Sequence, residues 1–364
     1  MKRICISTWF SAPNYGTFLQ AFSLQKFLEI KDCKTDIVNF KPQSFLYSDI
    51  RIILFKLFPF LKKYKRYSYS KYLFEKEAKK YMSLSKRVTL SNVRPLIDNY
   101  DVFISGSDQI WNPDGAFHRF YMYEKIPNDK FFISYASSTG GNLPTKEKDQ
   151  DYKELLEKYN YISVREDRTR DYISDLLNRS DILKVLDPVF LLNKKEWDMF
   201  SNIDVPYDNY IFVYFLGFQD FYLDKISSLH EMYPELKFLM VCLGNEPEID
   251  LSYVKQIYGV SPFYFLALLK NANFVITDSF HATVFSIIFE KKFYHFLRYD
   301  NSVNSQNNRV FDLLSSLNYE NVIIDSKVES CPKVEELKII KSNDLSDEIE
   351  KSKKFLSRAL GGFF

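Results

Sequence analysis

Short runs of β-branched and aromatic residues alternate with helical patterns along most of this chain. Arg3 to Ser7 has the composition of a strand, an apolar helical pattern follows it, and Thr35 to Phe40 is the next strand-like run. The alternation starts again at Tyr210 to Phe215. Because strands separated by helices pair in parallel, the sequence predicts an α/β protein with two halves.

A chain of 364 residues is long enough for two domains, each with its own core. We place the first domain at 1–195, the second at 196–343, and a final helix at 344–364 that packs back on the first domain. The two halves are joined without a low-complexity linker. This arrangement predicts a cleft between them, where small-molecule sites are common.

The composition is that of an ordinary soluble protein, with 46% hydrophobic residues, 26% charged residues and a net charge of +2. This balance gives no general attraction to nucleic acid. The four cysteines are far apart in the sequence, which disfavours a zinc site or a redox motif, so no metal is expected. Neither a signal-peptide pattern nor a long apolar run is found. We therefore expect a cytoplasmic protein.

The stretch from Phe274 to Phe289 most constrains the function. A short apolar run delivers a helix start, with Asp278 as the expected N-cap and His281 at the third helical position. Free backbone N–H groups and the positive end of the helix dipole collect anions there. The sequence predicts a phosphate or carboxylate beside a titratable group. In the alternative interpretation Asp278 only caps the helix and His281 only packs.

Other candidates follow predicted strands. Ligands of open α/β sheets bind outside the carboxyl ends of strands, which indicates a site among the residues placed there. These residues are Ser107, Asp108, Ser137, Ser138 and Arg165. Each is equally consistent with a loop residue that has no chemical role.

The segment from Arg51 to Phe74 differs in character, since lysines and arginines are interleaved with apolar and aromatic residues and no acidic residue interrupts them. It belongs to an insertion at about 45–90. One interpretation is docking through 51–74 on an anionic membrane surface or a lipid phosphate. The other is a solvated helical excursion whose lysines face water.

Seven short blocks, taken together and in this order, resemble the polysaccharide pyruvyl transferase family. The blocks are Asn14-Tyr15-Gly16-x-x-Leu19-Gln20, Gly106-Ser107-Asp108-Gln109-Ile110-Trp111-Asn112-Pro113, Ser134-Tyr135-Ala136-Ser137-Ser138, Ile162-Ser163-Val164-Arg165-Glu166, Leu186-Asp187-Pro188, Thr277-Asp278-Ser279-Phe280-His281-Ala282, and Asn308-Arg309. The blocks extend over most of the chain. One departure is Ala282, where the family often has glycine, and the insertion at 45–90 lies outside the blocks.

The resemblance implies two Rossmann-like domains with a central cleft, similar to the GT-B glycosyltransferases. It also implies transfer of a pyruvyl unit from phosphoenolpyruvate, as donor substrate, to a sugar of a polysaccharide precursor or a lipid-linked oligosaccharide. The products would be a pyruvate ketal and phosphate. No further cofactor is implied. A membrane-attached acceptor would place the protein peripherally on the inner face of the cell membrane.

The resemblance also suggests roles for His281, Arg165, Ser279 and Phe280, and the other candidates rest on their positions in the sequence. His281 looks like the catalytic acid or base, and which of the two it is stays open. Asp278 and Asp108 are further catalytic candidates, although capping is the favoured role of Asp278. The residues expected to bind the donor by this resemblance are Arg165, Ser279 and Phe280. Arg298 and Arg309 flank a polar loop and are expected to close over the donor, and the alternative is that they are surface arginines. The residues expected to bind the acceptor are Asn14, Tyr15, Gly16, Ser107 and Ser137.

A nucleotide-sugar glycosyltransferase of GT-B type is the alternative function, because the same double α/β layout serves that chemistry equally well. A sugar- or membrane-binding protein without activity is a third class, disfavoured because the blocks fall at strand ends. His118, His230 and His295 lie in no block and are expected to be ordinary structural residues.

Overall fold

The computed structural model describes residues 2–41, 57–58, 60, 65–298 and 308–361. Within this part the chain forms two compact units. Unit 1 contains the N-terminal residues, Lys76–Leu192 and the chain from Ser346 onward. Unit 2 contains Asn193–Leu345 and the described residues between 57 and 75, which include the first turns of a long helix.

Each unit is built on one six-stranded sheet in which every strand is parallel to its neighbours. The strands of unit 1 are β1 (Arg3–Ser7), β2 (Lys34–Ile37), β3 (Val102–Ser105), β4 (Phe131–Ser137), β5 (Tyr161–Val164) and β6 (Leu183–Lys184). Those of unit 2 are β7 (Tyr210–Tyr214), β8 (Lys237–Cys242), β9 (Val254–Tyr258), β10 (Phe274–Thr277), β11 (Phe293–Phe296) and β12 (Ile323–Ile324).

Helices cover the sheets, as parallel sheets require. In chain order they are α1 (Tyr15–Ile30), α2 (Arg66–Tyr81), α3 (Arg94–Ile97), α4 (His118–Tyr121), α5 (Asp149–Leu156), α6 (Asp167–Leu177), α7 (Lys194–Ser201), α8 (Asp220–Met232), α9 (Pro262–Asn271), α10 (Phe280–Ile288), α11 (Asn308–Ser316) and α12 (Ser346–Leu360). The C-terminal helix α12 packs on unit 1, where the Ser352 hydroxyl accepts a hydrogen bond from the Leu186 N–H.

The strand order reverses once in each sheet. In unit 1 the order is β2-β1-β3-β4-β5-β6, so the chain changes direction between β1 and β3. In unit 2 the order is β12-β11-β10-β7-β8-β9, and the change falls between β7 and β10. Neighbouring strands at such a point send their connections to opposite sides, which leaves a crevice at their carboxyl ends. The fold alone therefore indicates a ligand site among the residues that follow β1, β3, β7 and β10.

Two strands were not predicted from the sequence. β9 is an edge strand that contains Lys255 and Gln256, so it lacks the apolar run that a buried strand shows. β12 has only two residues. Both lie at the edges of the sheet of unit 2, where one side is open to solvent or loops and the hydrophobic signal is weakest.

Candidate functional site

The strand-to-helix turn of unit 2 differs from the prediction in its cap. Ser279, and not Asp278, is the N-cap of α10, and its hydroxyl accepts a hydrogen bond from the Ala282 N–H at 3.5 Å. The helix begins at Phe280, which places His281 at the second helical position rather than the third. The capping role predicted for Asp278 was therefore wrong.

Asp278 does not cap the helix because its carboxylate faces the loop after β7. It accepts hydrogen bonds from the N–H groups of Leu216 at 2.6 Å and Gly217 at 2.8 Å. The side chain is fully buried. Burial raises the pKa of this carboxyl group, and the charge of Arg298 and the two N–H groups oppose that rise. Asp278 thus ties the ends of β7 and β10 together, and a catalytic role for it stays a prediction.

Six residues predicted from the sequence gather around the start of α10. Beyond Asp278 and Ser279, they are Phe280, His281, Arg298 and Arg309. The His281 ring meets the Phe280 ring edge-on, with centroids 5.3 Å apart, and the Arg309 guanidinium lies 5.4 Å from the centroid of the Phe280 ring. His281 keeps 9% of its surface exposed.

The Arg298 side chain packs against Gly217 and approaches Asp278. Its Nε lies 3.9 Å from a carboxylate oxygen of Asp278. A Cβ added to Gly217 would come within 2.6 Å of Arg298 Cδ, so any side chain there would displace the arginine. The start of α10 therefore combines one histidine, two arginines and the N–H groups of a helix N-terminus within unit 2.

The sequence gives no functional role to His295, and the structure shows that it contacts α10. It is 1% exposed on β11, and its Nδ1 lies 2.9 Å from the hydroxyl of Thr283, which belongs to α10. Burial, with a smaller effect of the Arg298 charge, lowers the pKa of His295 to about 3. This histidine is a neutral structural residue, and no sequence motif marks it.

In unit 1 the candidates lie at the ends of β3, β4 and β5. Asp108 adopts a left-handed conformation with φ 75°, and its carboxylate accepts a hydrogen bond from the Thr17 hydroxyl at 2.7 Å. Ala136 is also left-handed, with φ 52°, at an irregularity in the pairing of β4 with β5. Such conformations are costly outside glycine and cluster at functional sites.

Most of the predicted acceptor-binding residues make internal contacts. Ser107 and Ser137 are fully buried, and the Ser137 hydroxyl donates to the carbonyl oxygen of Gly106 at 3.0 Å. Asn14 is the N-cap of α1 and accepts from the Thr17 N–H at 3.1 Å. Tyr15 is 1% exposed and Gly16 is buried in the first turn of α1. Contact with an acceptor stays a prediction for all five residues.

Arg165 lies in a buried ionic network rather than on an open surface. Its side chain is 4% exposed, and Nη1 is 2.7 Å from a carboxylate oxygen of Asp187, which is completely buried. Glu166 lies 3.4 Å from the Arg165 Nε and accepts a hydrogen bond from Ser138. Burial alone lowers the pKa of Arg165, but the charges of Glu166 and Asp187 outweigh it, and the pKa is raised.

The acidic partners in this network, Glu166 and Asp187, belong to two of the sequence blocks, but the sequence suggests no role for them. The signal that points to them is their place directly after strand ends, beside an arginine that would otherwise be buried without a counter-charge. Binding of a donor by Arg165 stays a prediction.

A cavity of about 450 Å³ lies elsewhere in unit 2, beside the edge strand β9. Its walls include Arg66, Tyr69 and Tyr258, and none of the predicted site residues lines it. Among the residues that the model describes, no helix combines the length and apolar character needed to span a bilayer.

We expect Arg165→Ala to lower the free energy of unfolding by about 3–5 kcal/mol, because Asp187 would be left buried without its counter-charge. Urea unfolding measures the change. Arg170→Ala is the matched control, since Arg170 forms exposed pairs in the same region and should cost less than about 1 kcal/mol. A loss of unfolding free energy by Arg165→Ala as small as that expected for Arg170→Ala would mean that the buried pair with Asp187 does not stabilise the fold.

We also expect a pH-dependent contribution from His295. The unfolded chain takes up a proton near the ordinary pKa of 6.5, whereas folded His295 resists protonation down to about 3. Stability present above pH 6.5 is therefore lost as the pH falls. Between pH 8 and pH 5 the wild type should lose about 2 kcal/mol more unfolding free energy than His295→Gln. Identical pH profiles in urea titrations would contradict this assignment.

Comparison with known proteins agrees with the architecture. UDP-N-acetylglucosamine 2-epimerase from Rickettsia bellii superimposes with a TM-score of 0.53 at 11% identity, over 100% of this chain and 97% of that chain. Arabidopsis thaliana UGT89C1, complexed with UDP-L-rhamnose, gives a TM-score of 0.51 at 10% identity, over 99% and 98%. At these identities the likeness shows the fold alone, which is an α/β fold of two Rossmann-like units of GT-B type, as predicted. No curated protein sequence matches the chain.

The family model for polysaccharide pyruvyl transferase matches residues 14–301. This range covers most of the chain and includes six of the sequence blocks in full, together with the start of α10. The chain therefore belongs to the polysaccharide pyruvyl transferase family.

Proposed function

We propose that this protein transfers the pyruvyl unit of phosphoenolpyruvate to a sugar and forms a cyclic ketal. Two sugar hydroxyl oxygens form bonds to C2 of the donor, and the bond from C2 to the phosphate oxygen breaks. C3 gains a proton and becomes a methyl group. The two hydroxyl protons balance this reaction, since one replaces the proton taken up at C3 and the other leaves with inorganic phosphate.

The cluster at the start of α10 is the observation that carries this proposal. Phosphoenolpyruvate has a phosphate and a carboxylate, and both suit guanidinium groups and the N–H groups of a helix N-terminus. Arg298 lies near Asp278 and Arg309 lies near the Phe280 ring, both at this helix start. His281 is the titratable group of the same cluster, and it is part of the range that the family model matches.

His281 is assigned the proton transfer. A histidine side chain can give or accept a proton in catalysis, which is typically worth ~10²–10⁴-fold in rate. The His281 side chain is buried in the first turn of α10, next to the place where a ligand would bind at the helix start. Asp278 acts on this site indirectly, since it fixes Gly217 and thereby leaves room for Arg298.

A nucleotide-sugar glycosyltransferase remains the alternative function. The neighbouring solved structures have the same fold, but fold does not determine chemistry. No contact in the described part of the chain favours a nucleotide over a smaller anion.

Replacing His281 tests the proposal directly. We expect His281→Ala to reduce acceptor-dependent phosphate release from phosphoenolpyruvate by about 10²-fold or more, because the proton transfer loses its carrier. His230→Gln is a suitable control, since His230 stacks on Tyr253 in the same unit, with ring centroids 3.7 Å apart. Full turnover by His281→Ala, with normal folding by circular dichroism, would remove His281 from the mechanism.

We further propose that the protein works at the inner, cytoplasmic face of the cell membrane, where a lipid-linked acceptor would be held. Of the basic stretch at 51–74, the lysines and arginines at 51, 56, 62 and 63 lie outside the described residues. Within the described part, Leu57, Phe58 and Phe60 are 64%, 45% and 64% exposed, and Lys65 is exposed as well. Exposed apolar side chains beside basic residues support adsorption to an anionic surface.

This location predicts binding to liposomes that contain an anionic phospholipid. Cosedimentation should be strongest at low ionic strength and fade with added salt, because salt screens the charges. Replacing Leu57, Phe58 and Phe60 together by serine should weaken it. Leu90→Ser changes a leucine that is 40% exposed and serves as the control. Equal sedimentation with anionic and neutral liposomes would contradict the proposed location.

A further inference from the structure

The first turns of α2 lie on the carboxyl ends of β8 and β9. The Ser70 hydroxyl donates to the carbonyl oxygen of Leu243, directly after β8, at 2.9 Å. Gly244 follows with φ 119°, and a Cβ placed on it would lie 2.4 Å from the backbone nitrogen of Tyr67. This approach is possible only with glycine, since both the conformation and the space exclude a side chain.

A second glycine repeats this arrangement after β9. Gly259 has φ 71°, and a Cβ there would come within 2.7 Å of Cε1 of the Tyr69 ring. The neighbouring Tyr258 has its ring covered by the Arg66 guanidinium, 4.0 Å from the centroid. Arg66 is also paired with Glu248 at 3.3 Å. Both strand ends are therefore occupied by residues of α2.

These contacts limit which ligands can bind at the carboxyl ends of β8 and β9. Nucleotides bound to open α/β sheets lie across the carboxyl ends of the strands, and a base needs an aromatic or apolar face for stacking. At the end of β9 the face of Tyr258 is already covered by a cation–π contact. The space above Gly259 is filled by Tyr69.

We propose that Arg66 and Tyr69 are specificity-determining residues that exclude a nucleoside from the carboxyl ends of β8 and β9. The anion site at the start of α10 then takes a donor whose phosphate carries no nucleoside. This inference rests on the proposed function for the identity of the donor. The role of Arg66 and Tyr69 depends only on the contacts of α2.

The adjoining cavity explains why removing these side chains should have a measurable effect. Arg66 and Tyr69 form part of the wall of the cavity of about 450 Å³ beside β9. A cavity of this size is within the range that small-molecule ligands use. Truncation of both side chains would extend the cavity over the end of β9 and uncover the face of Tyr258.

The experiment is a calorimetric titration of the full chain with UMP and, separately, with phosphoenolpyruvate. The variants are Arg66→Ala/Tyr69→Ala and, as a milder change that keeps a good helix former, Arg66→Gln. Lys79→Ala is the control, since Lys79 is an exposed residue of the same helix. Circular dichroism verifies that each variant is folded, and Arg66→Gln alone carries the test if the double variant is not.

We expect the dissociation constant of UMP to lie above the millimolar range for the wild type and for Lys79→Ala. For the Arg66 variants we expect a dissociation constant at least tenfold lower than that of the wild type. UMP binding by the wild type as tight as by the variants would overturn the proposal. A failure of every variant to gain UMP binding would overturn it too. Absence of phosphoenolpyruvate binding by the wild type would contradict the proposed function instead, and the UMP result would still decide the role of Arg66 and Tyr69.

Discussion

The buried carboxylate of Asp278 holds the ends of β7 and β10 together, and the candidate site depends on this contact. The two strands are neighbours at the point where the strand order of unit 2 reverses. Two backbone N–H groups from the loop after β7 donate to the carboxylate, which connects this loop to the start of α10. Hydrogen bonds to a charged acceptor are among the stronger ones in proteins. The position of His281 follows from this anchoring, because α10 begins two residues after Asp278.

Unit 1 stabilises its own strand ends with the same chemistry. Asp108 binds the first turn of α1 through Thr17, at the point where the order of its sheet reverses. Asp187 holds the buried Arg165 beside β5 and β6. In both units, then, acidic residues that follow strands serve first to position backbone and side chains. A carboxylate at a strand end is therefore weak evidence for catalysis unless a second titratable group, such as His281, lies at the same helix start.

Much of the architecture could be predicted because its signal is local. Apolar runs of three to five residues mark β3, β7 and β8, and each run is buried in the structure. The cap of α10 could not be predicted, because Asp278 and Ser279 are both good N-cap residues and only a tertiary contact decides between them. The burial of Arg165 could not be predicted from the sequence either, since its partner Asp187 lies 22 residues away. The covering of β8 and β9 by α2 also depends on long-range contacts, although Gly244 and Gly259 mark the places where it occurs.

In the proposed reaction a pyruvyl unit moves from phosphoenolpyruvate to a sugar at the start of α10. Mass spectrometry of glycan acceptors, incubated with the full chain and phosphoenolpyruvate labelled with ¹³C in its carbon skeleton, measures this most directly. We expect a labelled pyruvyl ketal on the sugar and release of an equal amount of phosphate. Transfer of a hexose from a UDP-sugar to the same acceptors, with no label from phosphoenolpyruvate, would contradict the proposed reaction.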